Sequence, residues 1–316
     1  MKKVSFGVLT VIVIAIAVAI ASGNKHTSIE DEDKNAPASV NDPVMLKGFS
    51  LSPRSFDQAD FLEFFNRVSE SSNAVSWAGD TQDLAKDDPA ATVVTELSAA
   101  YDYTPVILVY PPHKDLIVDF AKKEQPPYLA IGVEINLFEE DVFEDLVTVF
   151  PEIYQSVKAV SPETKIFTIF QLERMKGLNG GLYGGTNDVS QSQWEMIDRF
   201  PDADLIGFTT YPGIIYQKLS EIPNDFYSEI RTHTDKPIAF VEIGWSSLPE
   251  ITGWERSEAE QAAFVAYFFR ETDELHPELR IWSFMYDSEI GQPFNGMGLV
   301  TKDNQEKEAW SIWNNQ

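Results

Sequence analysis

The chain has 316 residues, 43% of them hydrophobic, which is globular in composition and long enough for a sizeable core, so wholesale disorder is excluded. It has no cysteine, which excludes disulfides, thiolate metal sites and cysteine nucleophiles. Fifty acidic against 24 basic residues give a net charge of −26, a surface that repels nucleic acid but places no penalty on a neutral ligand such as a sugar.

The N-terminus has the pattern of an export signal. Lys2 and Lys3 form a positive start, Phe6 to Ala21 is apolar apart from Gly7 and Thr10, and Ala19-Ile20-Ala21 supplies small residues for cleavage before Ser22. Residues 1–22 are expected to be a signal peptide, with an uncleaved membrane anchor as the alternative; the run is short for a span of about 20 residues. Either way the protein is expected outside the cell or at its surface. Residues 23–42 are polar and charged and are expected to form a disordered linker.

Residues 43–316 are expected to form one domain. Strand-like apolar runs recur at Val44–Ser52, Ala74–Asp80, Pro105–Tyr110, Tyr128–Asn136, Lys165–Glu173, Asp204–Pro212, Pro237–Ser246 and Arg280–Asp287. Helix-period segments lie between them. Phe61, Phe64, Phe65 and Val68 make one apolar stripe; Val142, Leu146 and Val149 begin another, which Pro151 is expected to interrupt or kink. Ser257 and Glu260 have the spacing of a capping box, and Trp310 with Trp313 fits a closing helix. Eight alternating βα units without a dividing linker predict an α/β fold, a (β/α)8 TIM barrel. A doubly wound open sheet is the runner-up, but Leu51-Ser52-Pro53-Arg54 is not the Gly-rich turn such sheets carry after the first strand.

Strict alternation along the fourth run would put Ala130, Gly132, Glu134 and Asn136 on one face and Leu129, Ile131 and Val133 on the other. The same rule groups Gly207, Thr209 and Tyr211 on the sixth run, and Ile238, Phe240 and Glu242 on the seventh. Active sites of such barrels lie at the C-terminal ends of the strands. Glu134 ends the fourth run and Glu242 the seventh, on opposite sides of one mouth. Two convergent carboxyls are what glycosidic cleavage uses, at about 5–5.5 Å for retention and about 6.5–9.5 Å for inversion. Glu134 would then carry a raised pKa, from burial and from the charge of Glu242.

Glu on strand four and Glu on strand seven resembles clan A glycoside hydrolases, the retaining (β/α)8 group. Gly132-Val133-Glu134-Ile135-Asn136 looks like the acid/base segment of the endo-β-1,4-galactanase family and its relatives. Val241-Glu242-Ile243-Gly244-Trp245 is similar to that family's nucleophile strand, and Gly298-Leu299-Val300-Thr301-Lys302-Asp303 with Ala309-Trp310 resembles a closing segment. The resemblance implies Glu134 as acid/base, Glu242 as nucleophile, and Tyr211 as the partner that hydrogen-bonds the nucleophile. It departs at Val133, where the clan has an Asn that contacts the sugar 2-hydroxyl; Asn136 is the substitute candidate, or else a strand-end cap.

Substrate contacts are expected from Tyr211, Trp245, Asn136, Gln171, Tyr286 and Asp287. Trp245 would stack on a sugar face or pack in the core, and Trp282, early in the eighth run, reads as core. Glu173 would line a subsite with Gln171 or pair with Arg174. Arg54 and His113 follow strands one and three. The glycine-rich stretch Lys176 to Val189 is expected to wall the cleft. His26, His113, His233 and His276 are scattered, so no metal is expected, and no cofactor motif occurs. The expected function is a glycoside hydrolase acting on a β-linked poly- or oligosaccharide; a non-catalytic carbohydrate-binding or surface-tethered barrel is the alternative.

Overall fold

Short runs rich in β-branched and aromatic residues form eight strands in the computed structural model, which describes residues 45–86, 89–249, 251–254 and 256–316. They are β1 (Leu46–Ser50), β2 (Ala74–Asp80), β3 (Thr104–Tyr110), β4 (Tyr128–Ile131), β5 (Lys165–Gln171), β6 (Leu205–Thr210), β7 (Ile238–Ile243) and β8 (Leu279–Trp282). All neighbours pair in parallel in chain order. β1 pairs with β8 through Leu46 and Leu279 to Phe49 and Trp282, which closes the barrel. The fold is therefore the (β/α)8 barrel. The expected export segment and linker, residues 1–42, lie outside the described residues. Among the described residues no helix is long and apolar enough to cross a membrane.

The helices are α1 (Gln58–Ser71), α2 (Ala90–Tyr101), α3 (Lys114–Glu124), α4 (Glu140–Val160), α5 (Leu172–Met175), α6 (Glu258–Thr272) and α7 (Glu308–Asn314). Phe61, Phe64, Phe65 and Val68 of α1 are buried against the strands, each worth about 1.5–3 kcal/mol of transfer free energy. Ser257 caps α6 by accepting from the Glu260 amide, while the Glu260 carboxylate takes the Leu219 amide from another loop. The α4 helix runs on through Pro151; the break expected there does not occur. After β5 and β6 no full crossover helix follows: the longest elements before the next strand are 3-10 turns, Trp194–Arg199 and Ser228–Thr232. Those connections carry Gly177, Gly180, Gly181, Gly184, Gly185, Pro201, Pro212 and Pro223, which cost a helix interior about 1 kcal/mol per glycine and about 3 per proline. Trp194, Ile197, Tyr227 and Ile230 still supply buried side chains to the outer core.

Two cores result. Ala74, Val106, Leu108, Ala130, Phe167, Ile169, Leu205, Ala239, Val241 and Ile281 fill the barrel, and a larger layer lies between strands and helices. Side chains inside the barrel make it a packed core rather than a pore.

Candidate active site

The alternation expected along the fourth run stops at Ile131. Gly132 takes φ +89° and Glu134 φ +50°, so the chain leaves the strand and turns into a 3-10 segment, Ile135–Leu137. A Cβ at Gly132 would lie 2.5 Å from Ile135 Cγ2 and 2.8 Å from Leu146 Cδ2, so the turn needs glycine for both space and dihedral. The turn reverses one expectation: Val133, expected outside with Leu129 and Ile131, packs inside the barrel with Val106, Leu108 and Phe167. Glu134 itself is a non-glycine residue in the left-handed region, the kind of strained position that concentrates at functional sites.

On β7 the correction is a change of face. Ala239 and Val241 point into the barrel while Ile238 and Phe240 belong to the outer layer, so strict alternation would send Glu242 outward too. The β7–β8 register shifts between Phe240 and Ile243, and the β6–β7 register between Phe208 and Thr209. An irregularity of this kind re-aims a side chain, and Glu242 faces the cavity at the barrel mouth together with Glu134. That cavity has a volume of about 1050 Å³, at the upper end for small-ligand sites.

The hydroxyl of Thr209 donates to Glu134 Oε1 at 2.6 Å, and Tyr211 Oη donates to Glu242 Oε2 at 2.6 Å. Tyr211 Oη also lies 2.9 Å from Ser283 Oγ, whose single proton is shared between that oxygen and the Ile243 carbonyl at 3.1 Å. A Cβ on Gly244 would lie 2.8 Å from Tyr211 Cε1 and 2.6 Å from Met297 Sδ, so this glycine lets the phenol ring reach the carboxylate. Glu134 is buried and Glu242 is partly exposed to the cavity. The Glu134 carboxyl is pushed up to about 8, first by burial and then by the charge of Glu242. Burial also raises Glu242, but the Tyr211 hydrogen bond opposes it. The pair therefore gives up its first proton from Glu242 and retains the second on Glu134.

Exchanging Tyr211 for phenylalanine removes the hydrogen bond that favours ionised Glu242. A charge-assisted bond of about 1.5–3 kcal/mol is lost, and the acid limb of any activity that needs Glu242 ionised is expected to move to higher pH. A pH–rate profile of Y211F checks this; an unmoved acid limb would show that the bond does not tune Glu242.

The six expected contact residues divide. Tyr211, Tyr286 and Asp287 line the cavity. Tyr286 lies beneath the Arg54 guanidinium, 5.7 Å from its ring centroid, and its buried hydroxyl has no hydrogen-bond partner among the described residues. Asp287 is held by Lys307 Nζ at 2.6 Å and by the Gly298 amide. The other three turn away from the cavity. The Asn136 amide accepts from the Gln171 main chain and donates to the Gln171 carbonyl and to Gln193, so it is a cap tying the turn to β5. Gln171 is buried, accepts from the Arg174 amide and donates to Glu173 and Tyr183. Trp245 is wholly buried, stacked on Phe264 and covered by the Arg256 guanidinium at 4.5 Å. Trp282 is core. Glu173 is fully buried and makes no pair with Arg174, which stacks on Tyr183 instead. His113 precedes α3 and does not line the cavity.

The glycine-rich stretch does not wall this cavity either. Leu182 and Tyr183 pack against the Tyr211, Ile214 and Met297 cluster instead. The cavity instead opens from the glutamates toward the ends of β8, β1 and β2, where Trp77, Phe284, Phe294, Phe56 and Arg54 line it. Sequence reasoning singled out Arg54 but missed the aromatics. Phe284 and Phe294 flank Tyr286 beyond β8, and that density of aromatic residues in a loop after a barrel strand was the available signal. Among the described residues no group of three or more His, Asp and Glu side chains could hold a metal.

No protein-family model matches the chain, and no curated protein sequence does. Solved structures do match in fold. A β-glucuronidase from Bifidobacterium dentium aligns with 86% of this chain at TM-score 0.57 and 15% identity, and this chain covers 46% of it. Xylanase 10B from Thermotoga maritima aligns over 86% of this chain and 94% of its own at TM-score 0.59 and 12% identity. An endo-β-1,3-glucanase from Amycolatopsis mediterranei aligns over 86% and 99% at TM-score 0.53 and 14% identity. At these identities the likeness is one of fold.

Proposed function

We propose that the chain is an exported glycoside hydrolase that cleaves a neutral β-linked oligo- or polysaccharide with retention of configuration. The observation that carries the reading is that Glu134 and Glu242 face one cavity in unlike surroundings: Glu134 is buried, with its carboxyl pushed up by burial and by the charge of Glu242, while Glu242 accepts from the Tyr211 hydroxyl, which opposes the rise. Glu134 gives its proton to the glycosidic oxygen as Glu242 attacks the anomeric carbon. The C–O bond to the leaving sugar breaks and an ester to Glu242 forms. Water then attacks that ester's anomeric carbon, Glu134 takes the proton of the water, and Glu242 leaves as carboxylate. Aromatic side chains at Trp77, Phe284 and Phe294 offer flat apolar faces to sugar C–H groups. The fold neighbours named β-glucuronidase, xylanase and endo-β-1,3-glucanase support a β-linked substrate, and the galactanase-like segments put β-1,4-galactan among the candidates.

The test is the purified protein on a panel of aryl β-glycosides and β-linked polysaccharides, galactan included, with proton NMR of the first-formed sugar. A β-anomer appearing first is expected. An α-anomer would overturn retention, and no release of sugar from any substrate would overturn the enzyme. One observation favours a second reading, a sugar-binding barrel without turnover: Val133 offers no amide to a sugar 2-hydroxyl beside Glu134 and is held inside the apolar barrel. Binding of an oligosaccharide by calorimetry with no hydrolysis would select it.

A further inference from the structure

A third carboxylate, which the proposed chemistry does not use, is buried behind the pair. Glu173 of α5 is fully shielded from solvent and does not line the cavity. Three donors converge on it. Thr210 Oγ1 and the Tyr211 main-chain amide both reach Oε1 at 2.9 Å, and Gln171 Nε2 reaches Oε2 at 2.9 Å. The Tyr211 amide lies just past the last residue of β6, where ladder pairing has ended, so the Glu173 carboxylate stands in for the missing strand partner. The same Gln171 amide also donates to Tyr183 Oη at 2.7 Å. An unbroken series of hydrogen bonds thus leads from the glycine-rich stretch through Gln171 and Glu173 to the backbone of the residue whose phenol holds Glu242.

We propose that Glu173 is a positioning residue for Glu242: by fixing the Tyr211 main chain at the end of β6 it sets the Tyr211 hydroxyl against the nucleophile. Placing a buried carboxylate there is energetically unfavourable unless its lone pairs are satisfied, and here three donors from β5, β6 and the turn between β6 and the cavity do so. Lys176 is the cation whose charge acts on it, and is itself engaged by Glu229 and the Phe226 carbonyl. Tyr183, Tyr216 and Tyr227 face it with neutral phenols, and Glu134 faces it from the turn after β4 with a carboxyl. Burial holds Glu173 at about 7, with its hydrogen bonds opposing; in its ionised form it adds to the field that keeps Glu134 protonated.

These two influences have opposite signs, which separates positioning from charge alone. Removing the charge of Glu173 can only make neighbouring carboxyls easier to ionise. Removing its grip on Tyr211 weakens the bond to Glu242 and makes Glu242 harder to ionise. The inference rests on the proposed roles only in its kinetic arm. The deciding measurement needs no substrate: carboxyl-carbon NMR titration of Glu242 and Glu134 in the full chain, with E242Q and E134Q assigning the signals. E173A is expected to raise the Glu242 midpoint, as Y211F does, and adding E173A to Y211F is expected to raise it no further. E173Q keeps an acceptor for the Tyr211 amide but loses the charge; it is expected to lower the Glu134 midpoint and leave Glu242 unraised, and it serves alone where the alanine variant does not fold. In kinetics, E173A is expected to lower kcat about 10- to 100-fold, the loss of one buried hydrogen bond to charge, with KM held because Glu173 does not line the cavity. A Glu242 midpoint unchanged or lowered in E173A, or raised in E173Q, overturns the proposal. If no glycoside is turned over by the unmodified protein, the proposed function fails while the titration still decides the role of Glu173.

Discussion

Exchange of Glu242 for alanine is expected to lower kcat by on the order of 10^4-fold or more, the scale seen when a covalent nucleophile is removed. The reason is geometric as well as chemical. Glu242 accepts from Tyr211 Oη at 2.6 Å, which favours its ionised form, and its face toward the cavity depends on the register shift between Phe240 and Ile243. Neither neighbouring carboxyl can take its place: Glu134 holds its proton and Glu173 lies behind the wall. The vacated space accepts a small anion. With azide present, E242A is expected to convert an activated aryl β-glycoside to the α-glycosyl azide, because azide attacks from the side where Glu242 stood. E134A under the same conditions is expected to give the β-glycosyl azide, since there the glycosyl ester forms first and azide replaces water. E242A activity within tenfold of the unmodified protein, or identical azide products from the two variants, would remove Glu242 from the nucleophile's role.

The parts of this site that the sequence disclosed and the parts it concealed differ in physical kind. Apolar runs alternating with helical stripes are visible because burial on a sheet or a helix imposes a period, and eight such runs suffice for the barrel and for the placement of Glu134 and Glu242 at its mouth. Periodicity ends where strands end. Continuing a two-residue alternation past Ile131 and up to Gln171 puts Asn136 and Gln171 in the cavity, but Gly132 and Glu134 take positive φ and turn Asn136 back onto β5. Trp245 lies beyond β7, where nothing in its spacing from Glu242 indicates direction; its indole meets Phe264 and Arg256 instead. Glu242 reaches the cavity side of the wall through an irregularity invisible in the sequence, since alternation alone groups it with the outward-facing Ile238 and Phe240. The resemblance to clan A hydrolases supplies Tyr211 as a partner of the nucleophile, which spacing could not. Glu173 is legible in the sequence only as a strand-end charge that lines a subsite with Gln171 or pairs with Arg174; its burial depends on the return of β6 alongside β5, a contact between residues distant in sequence.

Exchange of Glu134 for glutamine is expected to stabilise the protein in alkali while disabling it as a catalyst. The carboxyl is at about 8 in the folded chain against an ordinary value of 4.5. The folded state therefore binds the proton more tightly than the unfolded state. Its contribution to stability is fully present below about 4.5 and is lost as pH rises through about 8. At ~1.4 kcal/mol for each tenfold difference in proton affinity between the two states, the loss amounts to roughly a few kcal/mol. The amide introduced by E134Q is neutral throughout, and its oxygen can still accept from Thr209. The difference in Tm between E134Q and the unmodified protein is thus expected to be near zero at about pH 4, to grow through about pH 5–8, and to level off by about pH 9 at several degrees. Catalysis should move the other way. With no proton to give, E134Q is expected to lose about 10²–10⁴-fold in kcat on natural linkages and to lack the alkaline limb near pH 8 expected of the unmodified protein. Substrates with strongly acidic leaving groups need no proton to depart and should keep their first step. Calorimetric scans across pH and a pH–rate profile on two leaving groups check both halves. A Tm difference that is flat with pH would mean that Glu134 is already ionised in the folded chain, and the assignment of proton donor would pass from it.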